Sequence, residues 1–216
     1  MTTDSALLDL LRTERGALID TLRALDDARW QVPSLCAGWR VVDVAAHLAW
    51  APVLGPGAAA AALARHGFSI NRMIERSAVE WSGRGHKAIL DRLERNLADD
   101  ARPAGMPVVA ALADAVVHGL DVRRPLGLPH AVPPEALAPV ADFALRTPWP
   151  LTAVVGGSAR RRVAGVRLVA EDAGWSHGSG PEVRTSAEAV LLLLHGRAPA
   201  PAELSGPGAS VVLARL

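Results

Sequence analysis

An acid one helical turn ahead of a histidine occurs twice within apolar sequence. Asp43 and His47 lie in "CAGWRVVDVAAHLAW" (36–50), and Asp114 and His118 in "ALADAVVHGLDVRRPLG" (111–127). Residues four apart on an α-helix project from the same face, so Asp114 and His118 can aim at one centre. A third donor has to come from another helix. His47 can supply it, because helix bundles assemble metal sites from side chains on facing helices. Two imidazoles and one carboxylate suit Zn2+ or a similar divalent ion, and three protein ligands leave one coordination position open to water or substrate. The plainer reading keeps each histidine as a satisfied core residue and each aspartate as a surface or capping group, since such pairs are frequent in helices that bind nothing. Asp43 shares the spacing. As a fourth ligand it would close the shell into a structural site; as an acid in a first helical turn it would serve the helix dipole instead.

Other groups nearby carry weaker signals. Asp121, three residues after His118, can accept a hydrogen bond from its imidazole or face solvent at the end of the helix. Arg123 and Arg124 close the same helix, where cations suit the dipole, and where one of them could meet a carboxylate of a substrate or a thiol. Cys36 stands in the loop before His47 and reads as a packing thiol. The sequence contains no HExxH, GxSxG, Walker loop or CxxC, so hydrolase, kinase and zinc-finger readings lose their usual support.

Helices must position these groups. Leu7, Leu8, Leu11, Leu18, Ile19, Leu22 and Leu25 recur at spacings of three and four and predict a first amphipathic helix over 4–27. A second begins at Trp39 and runs to about Trp50, with a weaker continuation through the alanines of 58–64. After a connection around Gly83 and Gly85, a third helix follows in "HKAILDRLERNLADD", a fourth in "MPVVAALADAVVHGLDVRR" and a fifth in "PPEALAPVADFALRTP". Helices with one apolar stripe and short links predict an antiparallel bundle over residues 1–148. From 151 to 216 the texture changes: "VAGVRLVAED" alternates like a strand and "SAEAVLLLLHGR" reads as a capped helix, which predicts a small α+β domain. The whole is of α+β class.

With 216 residues, 50% of them hydrophobic, the chain can bury a sizeable core. A net charge of +1 supplies no broad field for nucleic acid or an anionic membrane, so small molecules are the expected partners. One cysteine permits no internal disulfide, and no leader or membrane-spanning run is legible. A cytoplasmic location is expected.

The residues "WQVPSLCAGWRVVDVAAHL" (30–48), followed by "DAVVHGLDVRRPLG" (114–127), resemble the mycothiol-dependent maleylpyruvate isomerase family, a branch of the DinB-like metal-binding four-helix bundles. The closing "WSHGSGPEVRTSAEAVLLLLHGRAPAPAEL" is similar to the C-terminal segment of its actinobacterial members. The resemblance implies a DinB-like bundle followed by a small α+β domain. It also implies a divalent metal, usually zinc, held by His47, Asp114 and His118, with mycothiol as thiol co-substrate. At position 114 the family usually carries Glu; the shorter Asp requires either a closer helix or a bridging water. The expected function is an isomerase or S-transferase that adds a metal-activated thiol to an electrophilic small molecule. The alternative is a metal-binding or ligand-sensing bundle without turnover.

Overall fold

The side-chain oxygen of Thr3 accepts from the amide of Ala6 and starts helix α1, Asp4–Arg23, whose apolar positions Leu7, Leu11, Leu18 and Leu22 fall on one buried stripe. In the computed structural model, which describes residues 3–216, the elements continue with a one-turn helix α2 (Asp27–Trp30), α3 (Val41–Trp50), α4 (Pro56–Arg65), α5 (Ile70–Ser82), α6 (His86–Ala98) and α7 (Val108–Arg123). Contacts between α1 and α7, α7 and α3, α3 and α6, and α6 and α1 close a ring of four helices. That ring is the expected bundle. α7 is built almost wholly from Val, Ala, Leu and Gly and is buried on nearly every side, so it forms the middle of the unit rather than an amphipathic wall.

The break after Trp50 is sharper than the periodicity suggests. Ala51–Val53 forms a single 3-10 turn at Pro52, and the alanine run starts afresh as α4, with Pro56 at its first position. α5 was not expected. It packs on α3 and supplies Ser77, Ala78 and Ser82 to the interior.

The chain divides into two compact units, Met1–His130 and Ala131–Leu216. The division falls ahead of α8 (Pro134–Arg146), so the helix read from the sequence as the last of the bundle counts with the second unit. There it packs on α9 (Ala159–Arg162) and on α10 (Ala187–Leu194). β1 (Arg167–Ala170) is the middle strand of a three-stranded sheet. It pairs antiparallel with β2 (Trp175–Gly178) and parallel with β3 (Glu182–Thr185), and a short α11 (Ala209–Leu213) lies near β3. Ser186 caps α10, whose Leu191–Leu194 run is buried. Gly156 and Gly196 cross so closely that a Cβ on Gly156 would stand 1.8 Å from the carbonyl oxygen of His195. The expected α+β unit is present. No helix among the described residues is long and apolar enough to cross a membrane.

Candidate metal centre

His47 sits on α3 and Asp114 and His118 on α7, two helices of the ring that touch. His47 Nε2 lies 3.5 Å and His118 Nε2 3.4 Å from the same oxygen, Oδ1 of Asp114. These separations are long for hydrogen bonds between an imidazole and a carboxylate. They match a shared ion: ligand atoms about 2.0–2.1 Å from a tetrahedral centre stand about 3.3–3.4 Å apart. The aspartate reaches this geometry without the extra methylene of a glutamate. Its side chain is 39% exposed while those of His47 and His118 are 9% and 13% exposed, so the cluster opens on the carboxylate's side.

Burial works to raise the Asp114 carboxyl, but the polar contacts and charges of the two nearby imidazoles outweigh it and hold the group far below the usual carboxylate range. Burial likewise works to lower the His118 imidazole. Cys36, Asp114 and Asp121 oppose it together and raise the group well above the ordinary histidine value.

The outer face of His118 is also built. Its Nδ1 lies 2.8 Å from Oδ2 of Asp121, a carboxylate with no solvent exposure. This partner favours a proton on Nδ1 and turns the Nε2 lone pair toward Asp114 and His47. The Cys36 thiol donates to the same Oδ2 at 3.0 Å and lies 3.6 Å from His118 Nδ1. The packing reading of Cys36 therefore omitted a polar role. Its loop explains the placement. The amide of Ser34 donates to the carbonyl of Trp39, that of Trp39 to Cys36 and that of Val41 to Val32, with Gly38 at φ +79° where a side chain would be strained. This tight loop puts Cys36 against His118. It also sets the Trp39 ring 5.4 Å from the ring of His47 and 6.2 Å from that of His118, a nearly buried apolar wall on both imidazoles.

Asp43 is occupied elsewhere. Its carboxylate accepts from the Arg40 amide and from the guanidinium at 2.9 and 3.0 Å, which secures the start of α3. Arg123 folds back into the space over Gly119, where a Cβ would stand 2.7 Å from its Nη1, and donates through Nε to Thr21. It is 3% exposed. Arg124 is half-buried at the C-cap of α7. Neither arginine lines the pocket beside Asp114. That pocket, a small recess partly open to solvent, is walled by Leu18, Ile19, Leu48 and Leu93, with Arg15 and Asp114 as its charged members. Arg15 carries no signal in the sequence that separates it from other helix-surface arginines.

Residues 11–104 match the family model of the mycothiol maleylpyruvate isomerase N-terminal domain. That stretch of the N-terminal unit is similar to this domain family. The matched segment includes the Cys36–Trp39 loop and His47; Asp114 and His118 lie beyond it. Two solved structures extend the likeness over the whole fold: a mycothiol-dependent maleylpyruvate isomerase (16% identity, TM-score 0.65) and a variant of it with one histidine replaced by alanine (15%, 0.64). Each comparison covers 96% of this chain and 94% of the other. No curated protein matches the sequence significantly. Relative to these mycothiol maleylpyruvate isomerase structures, the chain shares the arrangement of helices and sheet at a low level of identity.

Proposed function

We propose that the protein is a divalent-metal-binding, mycothiol-dependent isomerase or S-transferase that adds the thiol to an electrophilic small molecule. The observation that carries this reading is the convergence of three donors within 4.8 Å of one another, His47 and His118 each placing Nε2 at 3.4–3.5 Å from Oδ1 of Asp114, while Asp43 is engaged by Arg40. Three protein ligands with a solvent-facing side suit a catalytic site better than a closed structural one. The likeness of residues 11–104 to the mycothiol maleylpyruvate isomerase N-terminal domain and the shared fold of the solved isomerase support the thiol and the reaction class.

When bound, a divalent ion such as zinc would lower the pKa of a thiol that reaches it and polarise an oxygen of the electrophile. The remaining work falls to this chain. His47, Asp114 and His118 would hold the ion. Asp121 fixes the tautomer and ring plane of His118, and Cys36 steadies Asp121 by donating to the same oxygen. Trp39 keeps water from one side of both imidazoles. In an isomerisation the thiolate sulfur would add to one carbon of a cis double bond, rotation would follow about the resulting single bond, and elimination of the thiolate would leave the trans product. In an S-transfer the new C–S bond would form as a halide leaves, or as an epoxide C–O bond opens and its oxygen takes a proton from water, and the thioether would be released.

Elemental analysis of purified protein, followed by incubation of metal-loaded protein with mycothiol and a panel containing maleylpyruvate, epoxides and halogenated compounds, tests the reading. Thiol loss or a changed isomer ratio that disappears in His47→Ala supports it. Absence of turnover together with absence of mycothiol binding would replace it with a metal-binding or sensing module.

A further inference from the structure

Three arginines stand on α1, and two of them are neutralised by acids. Arg12 pairs with Asp9 and Asp100, and Arg23 with Asp20 and Glu94. Arg15 is different. Its guanidinium donates only to main-chain carbonyls, through Nη2 to Ala101 at 2.7 Å and through Nη1 to Asn96 at 3.4 Å, and no carboxylate among the described residues forms an ion pair with it. A guanidinium has five N–H donors, so these two bonds leave donor capacity unused.

The surroundings give that unused capacity a direction. Arg15 is half-buried and lines the same pocket as Asp114, between walls of Leu18, Ile19, Leu48 and Leu93. The other amide at the pocket, Asn96, spends its Nδ2 on the carbonyls of Leu48 and Ala49 and accepts from Arg92. Arg15 is thus the one cation among the residues lining a small apolar-walled space that also contains Asp114, a candidate metal ligand. Burial pushes its guanidinium below the usual range and the charge of Asp114 pushes back, as expected of a cation held partly out of water. A carboxylate entering the pocket would meet a planar, bidentate donor in a weakly screened setting, where such pairs are strongest.

We propose that Arg15 anchors a carboxylate of the small molecule on which the metal centre acts, and so sets the preference for anionic electrophiles. This rests on the metal-and-thiol reading above. It moves the anchoring role from Arg123 and Arg124, which do not line the pocket, to a residue more than ninety positions before the start of α7 in the chain, on a helix that packs against it.

The test is calorimetric titration of the zinc-loaded full-length protein with maleate, and with dimethyl maleate as its uncharged counterpart, for the parent, Arg15→Gln and Arg15→Lys, with zinc content and melting temperature measured on each. The expected result is maleate binding at least about tenfold weaker in Arg15→Gln, the loss of one charge-assisted pair. Arg15→Lys should recover part of it, and zinc content and the weak affinity for the diester should stay unchanged. Equal maleate affinity in the parent and in Arg15→Gln overturns the proposal while leaving the metal reading intact. If the parent holds no zinc, the metal reading fails by itself; maleate binding by that metal-free protein that still requires Arg15 would keep the anchor. If Arg15→Gln loses its fold, Arg15→Lys decides: it keeps the charge and the tie to Ala101 but not the fork, so unchanged maleate affinity there counts against the proposal.

Discussion

At residue 114 one methylene separates this chain from the glutamate usual in the family it resembles, yet the shorter acid stands close to both imidazoles. Oδ1 already stands 3.4 and 3.5 Å from the two imidazole nitrogens, so the backbone of α7 approaches α3 closely enough for the shorter acid. Asp114→Glu should therefore overshoot and weaken zinc binding by about tenfold, the scale of a misaligned ligand, read by competition with a chromogenic chelator. His118→Ala should lose nearly all bound metal by elemental analysis; retention at the parent level would remove it from the ligand set. Asp121→Asn should keep the fold but lower metal affinity by about 10–100-fold, because the amide no longer favours the proton on Nδ1. Acidity acts on the same nitrogen pair. His118 of the metal-free protein is raised above its ordinary value, and an ion must displace that proton. Affinity should thus keep climbing with pH beyond about 6.5, the ordinary histidine value, instead of levelling there. The Asp114–His118 pair was legible because i,i+4 spacing is a local property of a helix. Arg15 and the polar role of Cys36 were not, since each depends on a segment that arrives from elsewhere: the Ala101 carbonyl for one, Asp121 for the other. Arg123 looked like an ordinary cation at a helix end. Only the gap over Gly119 reveals that it turns inward.

At the scale of elements, α3 depends on its first turn. Asp43 is 2% exposed and accepts from the Arg40 amide and from its guanidinium, so Asp43→Ala would leave the Arg40 amide, Nε and Nη2 without that acceptor. A loss of about 1–3 kcal/mol in denaturant unfolding is expected, with metal stoichiometry unchanged. If Asp43→Ala instead abolished metal binding at unchanged stability, the acid would belong to the ligand set after all. The long amphipathic helices were readable from period alone. α5 is less legible although Ile70, Met73, Ile74, Ala78 and Trp81 keep a helical spacing, because turn residues on either side, Gly67 to Ser69 and Gly83 to Gly85, carry the signature of a connection. The division between the two compact units falls before α8, at His130, while the sequence reading placed the end of the bundle at 148. Nothing in the periodicity of Pro134–Arg146 says which core it joins, and its buried face packs on α10.

For the whole molecule, all three candidate ligands, the Asp121 support and the Arg15 pocket lie in residues up to His130. A chain ended there should remain helical by circular dichroism and bind one zinc equivalent; loss of the metal from a helical truncated form would give the second unit a part in the centre. The ring of α1, α3, α6 and α7 has a further consequence once His47 and the Asp114–His118 pair are seen as two ends of a long detour in the chain. An ion shared between them would act as a staple that closes everything from α4 to α6 into a loop, although those helices supply no ligand. Opening of α4 and α5, where Phe68, Ile70 and Val79 stand exposed, would then leave the staple untouched, while parting of α3 from α7 would require the ion to leave. Amide hydrogens of α3 and α7 should slow their exchange on metal addition, and those of α4 should not.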